Sequence, residues 1–194
     1  MKKFLFILLS CIFALNAGAQ ENLHLDFKGV PIDGNVRSFV EKMKNKGFGN
    51  EIILDNGITV LEGTFVGKSA TVFVVSTPET NTVWKVAAII FKDDDLSWSS
   101  LKSYYKYFVE LYEKKYGKPS SHFEFFTDPY YEGDGYELQA LRRDKCTYQT
   151  FFETEVGLVS IEITKKGSIC FSYEDEINVE KKRKEADRRN LDDI

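Results

Sequence analysis

Residues able to do chemistry concentrate in one segment of this chain. Asp128-Pro129-Tyr130-Tyr131-Glu132-Gly133-Asp134-Gly135-Tyr136 sets three acids and three tyrosines among turn-forming residues. Its Pro and Gly content predicts a loop. A carboxylate pair in a loop suits glycoside hydrolysis, where retaining enzymes hold the two groups about 5 Å apart and inverting ones about 6.5–9.5 Å. That chemistry would fall to Glu132 and Asp134 with Asp128, acting on an extracellular polysaccharide. Tyrosines on a loop instead supply rigid, amphipathic contact area at low entropic cost. On that account Asp128, Tyr130, Tyr131, Glu132, Asp134 and Tyr136 form a loop that binds a ligand or partner. A third possibility is a hairpin connection whose tyrosines fold back onto a sheet.

Other patterns are weaker. Gly63-Thr64-Phe65-Val66-Gly67-Lys68-Ser69 resembles a phosphate loop. It has three residues between the glycines where four are needed, and it lies between two strands with no helix N-terminus to face a phosphate. Ser99-x-x-Lys102 and Ser103-x-x-Lys106 match the serine–lysine pattern of penicillin-binding enzymes, but no Lys-Thr-Gly or Ser-Asp-Asn accompanies them. His24 and His122 are the only histidines, without a second ligand at zinc spacing or a Gly-x-Ser-x-Gly elbow. Asp93-Asp94-Asp95 lacks the alternating spacing of a calcium loop and suits the positive end of the helix that follows. No catalytic constellation, metal site or cofactor is expected.

The first residues are an address. Lys2 and Lys3 precede an apolar run over 4–15, and Ala17 and Ala19 are small residues at peptidase-read positions, so 1–19 is expected to be a signal peptide cleaved before Gln20. The run is shorter than the roughly 20 residues that span a bilayer. Export to the periplasm or beyond follows, remote from ATP and NAD. Leu8-Leu9-Ser10-Cys11 also fits a lipoprotein box, which would anchor the chain through Cys11, but the apolar residues after Cys11 disfavour it. Without Lys2 and Lys3 the chain carries 24 bases against 30 acids, a net charge of −6. That balance argues against nucleic acid and anionic membrane as partners.

Period and punctuation give the elements that must position the loop. Val36, Phe39, Val40 and Met43 make one helical stripe, capped by Asp33 or Asn35 and ended by Gly47. Trp98, Leu101, Tyr105, Phe108 and Tyr112 make another, capped by Ser97 and stopped by Gly117 and Pro119. Strands are expected over 23–27, 51–55, 58–66, 70–76, 83–91, 136–141, 147–153, 158–163 and 169–173, with Asn56-Gly57 as a hairpin turn. The unbroken apolar run 83–91 predicts a central strand covered on both faces. The tail 176–194 holds six acids and six bases and predicts a solvated helix.

Strands follow strands, so the fold class is α+β. Each helix precedes a meander, which predicts a degenerate tandem repeat over about 20–92 and 93–175 within one domain, 20–175. Val159, Ile161 and Ile163 alternate toward the core, as do Ile169, Phe171 and Tyr173, which puts Cys170 on the outer face. In a simple meander Cys146 and Cys170 lie two strands apart, about 9.5 Å. A disulfide needs Cα atoms within about 7 Å, so two free thiols are expected.

The segments 27–34 (FKGVPIDG), 46–48 (KGF), 61–65 (LEGTF), 115–119 (KYGKP) and 173–178 (YEDEIN) resemble an uncharacterised family of exported Bacteroidota proteins. The helix-plus-meander duplication is similar to the architecture of secreted β-lactamase-inhibitor-like proteins. The shared motifs are structural punctuation, so no catalytic residue is carried across. The expected function is an exported, non-catalytic binding or inhibitor-like protein that recognises a protein or an envelope glycan. A small carboxylate-dependent hydrolase and a structural component of the envelope are the alternatives.

Overall fold

The computed structural model describes residues 24–90 and 97–194. The signal peptide expected over 1–19, Cys11 and the acids Asp93 to Asp95 lie outside the described residues. A two-stranded ribbon, β1 (Asp26–Phe27) and β2 (Val30–Pro31), leads into α1 (Val36–Lys44). Four strands follow: β3 (Gly49–Ile53), β4 (Thr59–Phe65), β5 (Lys68–Ser76) and β6 (Val83–Ile90). Then come α2 (Trp98–Tyr116), β7 (Ser121–Phe126) and α3 (Glu137–Arg142). The chain closes with β8 (Cys146–Thr154), β9 (Gly157–Ile163), β10 (Ile169–Asp175) and α4 (Glu176–Asp192). β3 to β10 form one antiparallel sheet in the order β3-β4-β5-β6-β10-β9-β8-β7.

Local chemistry accounts for most boundaries. The Asn35 side chain accepts from the Arg37 N–H and opens α1, whose stripe Phe39, Val40 and Met43 is buried. Ser97 accepts from the Ser100 N–H and opens α2, which buries Trp98, Leu101, Tyr105, Phe108, Val109 and Tyr112. Gly117, at φ 83°, ends it. Gly57, at φ 78°, turns β3 into β4. At Gly157 a Cβ would stand 2.1 Å from the Glu174 carbonyl oxygen, so only glycine lets β9 start this close to β10.

Three expectations need correction. Residues 136–141 do not form a strand: 137–142 is the helix α3, because Glu, Leu, Gln, Ala, Leu and Arg are all strong helix formers and Ala140 and Leu141 bury one side. The edge strand β7 has no counterpart among the expected strands, since Phe123 and Phe125 point away from the core and only Phe126 packs against it. β6 is central but covered on one face only, with Trp84, Lys85, Ala87 and Ile89 half-exposed on the other.

The core lies between that covered face and the helices. Val72, Val74, Val86, Ala88, Val159, Ile161 and Phe152 from the sheet meet Phe39, Met43, Leu101, Tyr105 and Phe108. Rings join the halves: Phe27 stacks on Phe65 at 5.0 Å and meets Tyr173 at 5.2 Å, while Phe171 meets Phe65 at 5.2 Å and Phe108 at 5.1 Å. Such pairs contribute about 0.5–1.5 kcal/mol each beyond area burial.

The tail is docked through polar groups. Asp175, fully buried, accepts from the Leu25 N–H at 2.8 Å and the Asn178 N–H at 3.0 Å, and its carboxylate faces His24 Nδ1 at 3.0 Å. Asn178 Nδ2 donates to the carbonyls of Ile32 and Val83 at 2.7 and 2.9 Å. Glu185, also buried, accepts from the Glu79 and Thr80 N–H groups and the Thr80 hydroxyl. Arg188 pairs with Glu79. The helix expected to be solvated therefore closes one end of the sheet.

Cys146 and Cys170 are both free and buried, with β9 between their strands. Burial pushes their thiols up to about 12 and about 11. Thiol titration of the mature protein should count two thiols under denaturing, non-reducing conditions and slow reaction at pH 8 while folded. A count of zero would contradict this strand order. Replacing Asp175 with Ala removes a helix cap and leaves the Leu25 N–H unpaired, and should lower unfolding free energy by about 3 kcal/mol in urea titration. A loss below about 1 kcal/mol would show that the N-terminal ribbon is held by other contacts.

Candidate functional site

Two surfaces compete for the functional role. The first is the tyrosine- and acid-rich loop, which joins β7 to α3. Tyr131 and Tyr136 are 66% and 61% exposed, whereas Tyr130 packs against the core. Its carboxylates serve the loop itself. Asp134 accepts from the Tyr136 N–H at 2.7 Å and the Tyr131 N–H at 3.1 Å. Glu137 accepts from the Gly133 N–H. Glu132 pairs with Lys102 of α2, and the Tyr148 hydroxyl stands 3.5 Å away. The hydrogen bond from Lys102 holds the Glu132 carboxyl below its ordinary value. An ionised carboxylate held by a lysine is unsuited to donate a proton as a general acid. Asp128 is exposed and precedes a cis Pro129. The loop thus combines two presented tyrosines with acids committed to its own shape.

The second surface is the face of the sheet opposite α1 and α2. Register places side chains in rows across it. One row runs Ile52, Val60, Phe73, Ala87, Ser172, Ser160, Phe151 and Ser121, one residue from each strand. Small residues lie at the centre and rings on both sides. A second row runs Thr71, Ile89, Cys170, Glu162, Gln149 and Phe123. A third holds Val75, Lys85, Glu174, Leu158 and Glu153.

Together the rows make a trough. Ser172, Ser160 and Cys170 are only 9%, 9% and 6% exposed, although no helix among the described residues packs over them. The sheet's own curl and the flanking rings shelter this floor. Phe73 of β5 and Gln149 of β8 line one depression of about 520 Å³, so its walls come from strands far apart in the sheet. The turn at 164–168 and the end of α3 border the depression, and α4 lies at the opposite ends of the strands. At the β7 edge Phe123 and Phe125 are 44% and 49% exposed, and Phe123 meets Phe151 edge-on.

The electrostatics are one-sided. Glu62, Glu153, Glu162 and Glu174 stand on this face against Lys85, which is paired with Glu174 at 2.8 Å. Glu162 takes a hydrogen bond from Gln149 at 3.3 Å and has no ion pair among the described residues. Burial raises its carboxyl above its ordinary value, while Lys85 pulls the other way. Cys170 beside it lies 3.8 Å from the Ser172 hydroxyl.

The two histidines are both partnered. His24 faces Asp175, and His122 Nδ1 lies 2.8 Å from the Thr150 hydroxyl, which also bonds Tyr105. No group of three or more His, Cys, Asp or Glu among the described residues could hold a metal ion. No helix among them is long and apolar enough to cross a membrane. The sequence-derived loop residues do come together, but away from the trough, because Glu132 ties the loop to α2 on the helix side. The trough escaped sequence reasoning, although Phe73 and Phe151 were a signal: each lies among its strand's outward-facing residues. Comparison of the chain with protein-family models, curated proteins and solved structures finds no match in any of the three.

Glu132 has a depressed folded value, so its contribution is present above the unfolded carboxylate range and lost as pH falls through the folded one. Solvent screens the pair, because the Glu132 side chain is 51% exposed. Glu132→Gln should therefore cost less than about 1 kcal/mol at neutral pH. It should also flatten the acid limb of the stability profile and speed proteolysis within 128–136. An unchanged acid limb would show that the ion pair does not hold the loop.

Proposed function

We propose that this chain is an exported, non-catalytic binding protein that engages a protein partner through the open face of its sheet. The observation that carries this reading is the row from Ile52 to Ser121, a sheltered floor between aromatic walls on a face the described helices leave uncovered. Antiparallel sheets with one solvated face ordinarily alternate apolar and polar sets. A contiguous apolar patch on an open face marks an interaction site. The aromatic content suits an interface, where rings anchor and small residues admit them.

The carboxylates give the hydrolase alternative little support, since Asp134 is committed to the loop's own N–H groups and Glu132 to Lys102 of α2. A helix followed by four strands in 36–90, and a helix followed by four strands with α3 inserted after the first of them in 98–175, support reading the domain as a degenerate tandem repeat with units over about 20–92 and 93–175. The strands that end the two runs, β6 and β10, pair at the centre. The expected signal peptide supports the export. Tyr131 and Tyr136 offer a separate contact area, which the experiment distinguishes.

Immobilised wild-type protein, Ser160→Trp and Tyr131→Ala/Tyr136→Ala are to be compared for capture from an envelope extract. The trough reading expects bands that Ser160→Trp loses and the tyrosine pair retains. Bands lost with the tyrosines and kept with Ser160→Trp would move the site to the loop.

A further inference from the structure

From the charge and shape of the trough we infer that its occupant is a protein segment presenting one lysine or arginine among apolar side chains, with the cation seated over Glu162. The inference rests on the open face being the binding surface, and adds the chemistry of what it binds.

Shape selects the apolar part. Phe73 and Ile89 line the depression on one side and Gln149 and Glu162 on the other, so an apolar side chain of a partner entering there would lie against Phe73 and Ile89 with Glu162 within the same hollow. Ile89 extends the apolar floor toward Glu162 along the next row.

Charge selects the cation. The strands put four glutamates and one lysine on this face, that lysine is already held by Glu174, and Lys182 of α4 stands 4.0 Å over the Trp84 ring at the closed end of the sheet. Lys165 and Lys166 stand on the turn that borders the depression, and Lys165 is paired with Asp144. Glu162 stands directly across the strand pair from Cys170 of the floor. It is partly desolvated and has one weak hydrogen bond and no ion pair among the described residues. Burying it further under a neutral partner would worsen its desolvation, whereas a cation would offset that loss with a charge-assisted hydrogen bond. An acidic partner, including an anionic envelope polymer, would meet like charge at Glu162 and at Glu62, Glu153 and Glu174 around it. A neutral glycan would leave Glu162 without a counter-ion.

A random-peptide display library panned on the full exported chain tests this. Enriched peptides should carry Lys or Arg flanked by Leu, Ile, Val or Phe. For the best peptide, Glu162→Gln should weaken binding by about tenfold or more by calorimetry. Ser160→Trp should abolish it, and Tyr131→Ala/Tyr136→Ala should leave it unchanged. Circular dichroism reports the fold of each variant, and Phe73→Ala/Phe151→Ala replaces Ser160→Trp if the latter does not fold. Enriched peptides that are acidic or uncharged, or that lose less than about twofold with Glu162→Gln while Ser160→Trp abolishes them, would overturn the basic anchor and leave the binding face standing. Peptides that survive both trough variants would overturn the face as well. No enrichment would count against both.

Discussion

A single buried carboxylate sets the architecture. Asp175 ends the central strand β10 and caps α4, and its second oxygen takes the Leu25 N–H, so three separate parts of the chain converge on one side chain. Asn178, one turn into α4, continues the junction by donating to Ile32 and Val83. A buried carboxylate is tolerable only when its oxygens are occupied, and here backbone donors and His24 occupy them. The geometry then leaves little choice. The N-terminal ribbon must lie against the same face as α1 and α2, so that Phe27 enters the ring cluster, and α4 must run across the strand ends.

That arrangement spends every helix on one face or one end of the sheet. α1, α2 and the ribbon cover the inner face, and α4 closes the ends beside Val83 and the turn at 77–82. Among the described residues the opposite face meets a helix at its closed end, where Lys182 of α4 stands 4.0 Å over the Trp84 ring, and its centre has no helix packed on it. It shelters its own centre by curvature, which is why Ser160, Ser172 and Cys170 are buried without a layer above them. Small residues at those positions are a packing requirement of the curl, because larger side chains would crowd the flanking rings. The same requirement creates the trough. A concave surface with anchoring rings and a floor of small groups is therefore a consequence of how the sheet is built, and the chemistry superimposed on it is the acidic bias.

The parts legible in the sequence are those governed by local periodicity. The stripes of α1 and α2, the Ser97 cap, the α1 cap as one of Asp33 and Asn35, and the Asn56-Gly57 turn all follow from residues close in the chain; the structure puts the cap at Asn35. The free thiols follow too, because the meander order and side-chain alternation suffice to separate Cys146 from Cys170. Segment 136–142 misled because alternation over a few residues cannot distinguish a strand from a short helix, and intrinsic propensity decided it. β7 was illegible because its apolar set, Phe123 and Phe125, faces outward while His122 and Glu124 face the helices. The row across the trough has no sequence signature of its own: Ile52 and Ser172 are 120 positions apart and share a row only through the register of four successive strand pairs. The tail misled in the opposite way. Its charge pattern predicts a solvated face, yet Glu185 is buried because it binds backbone donors of a turn more than a hundred residues away.

The two candidate surfaces differ in what their polar groups are doing, and that difference ranks them. In the loop, Asp134, Glu137 and Glu132 already hold their partners, so binding there would add tyrosine contacts to a finished network. On the sheet, Glu162 remains short of a counter-ion in a sheltered setting, and Phe123 and Phe125 remain half in water. At its closed end the fold gives the carboxylates of Asp175 and Glu185 backbone donors, whereas at its open face Glu162 keeps one long hydrogen bond from Gln149 and no ion pair among the described residues. Unmet polar demand beside exposed rings is the combination that a partner relieves, because one contact both removes apolar surface from water and supplies the missing charge.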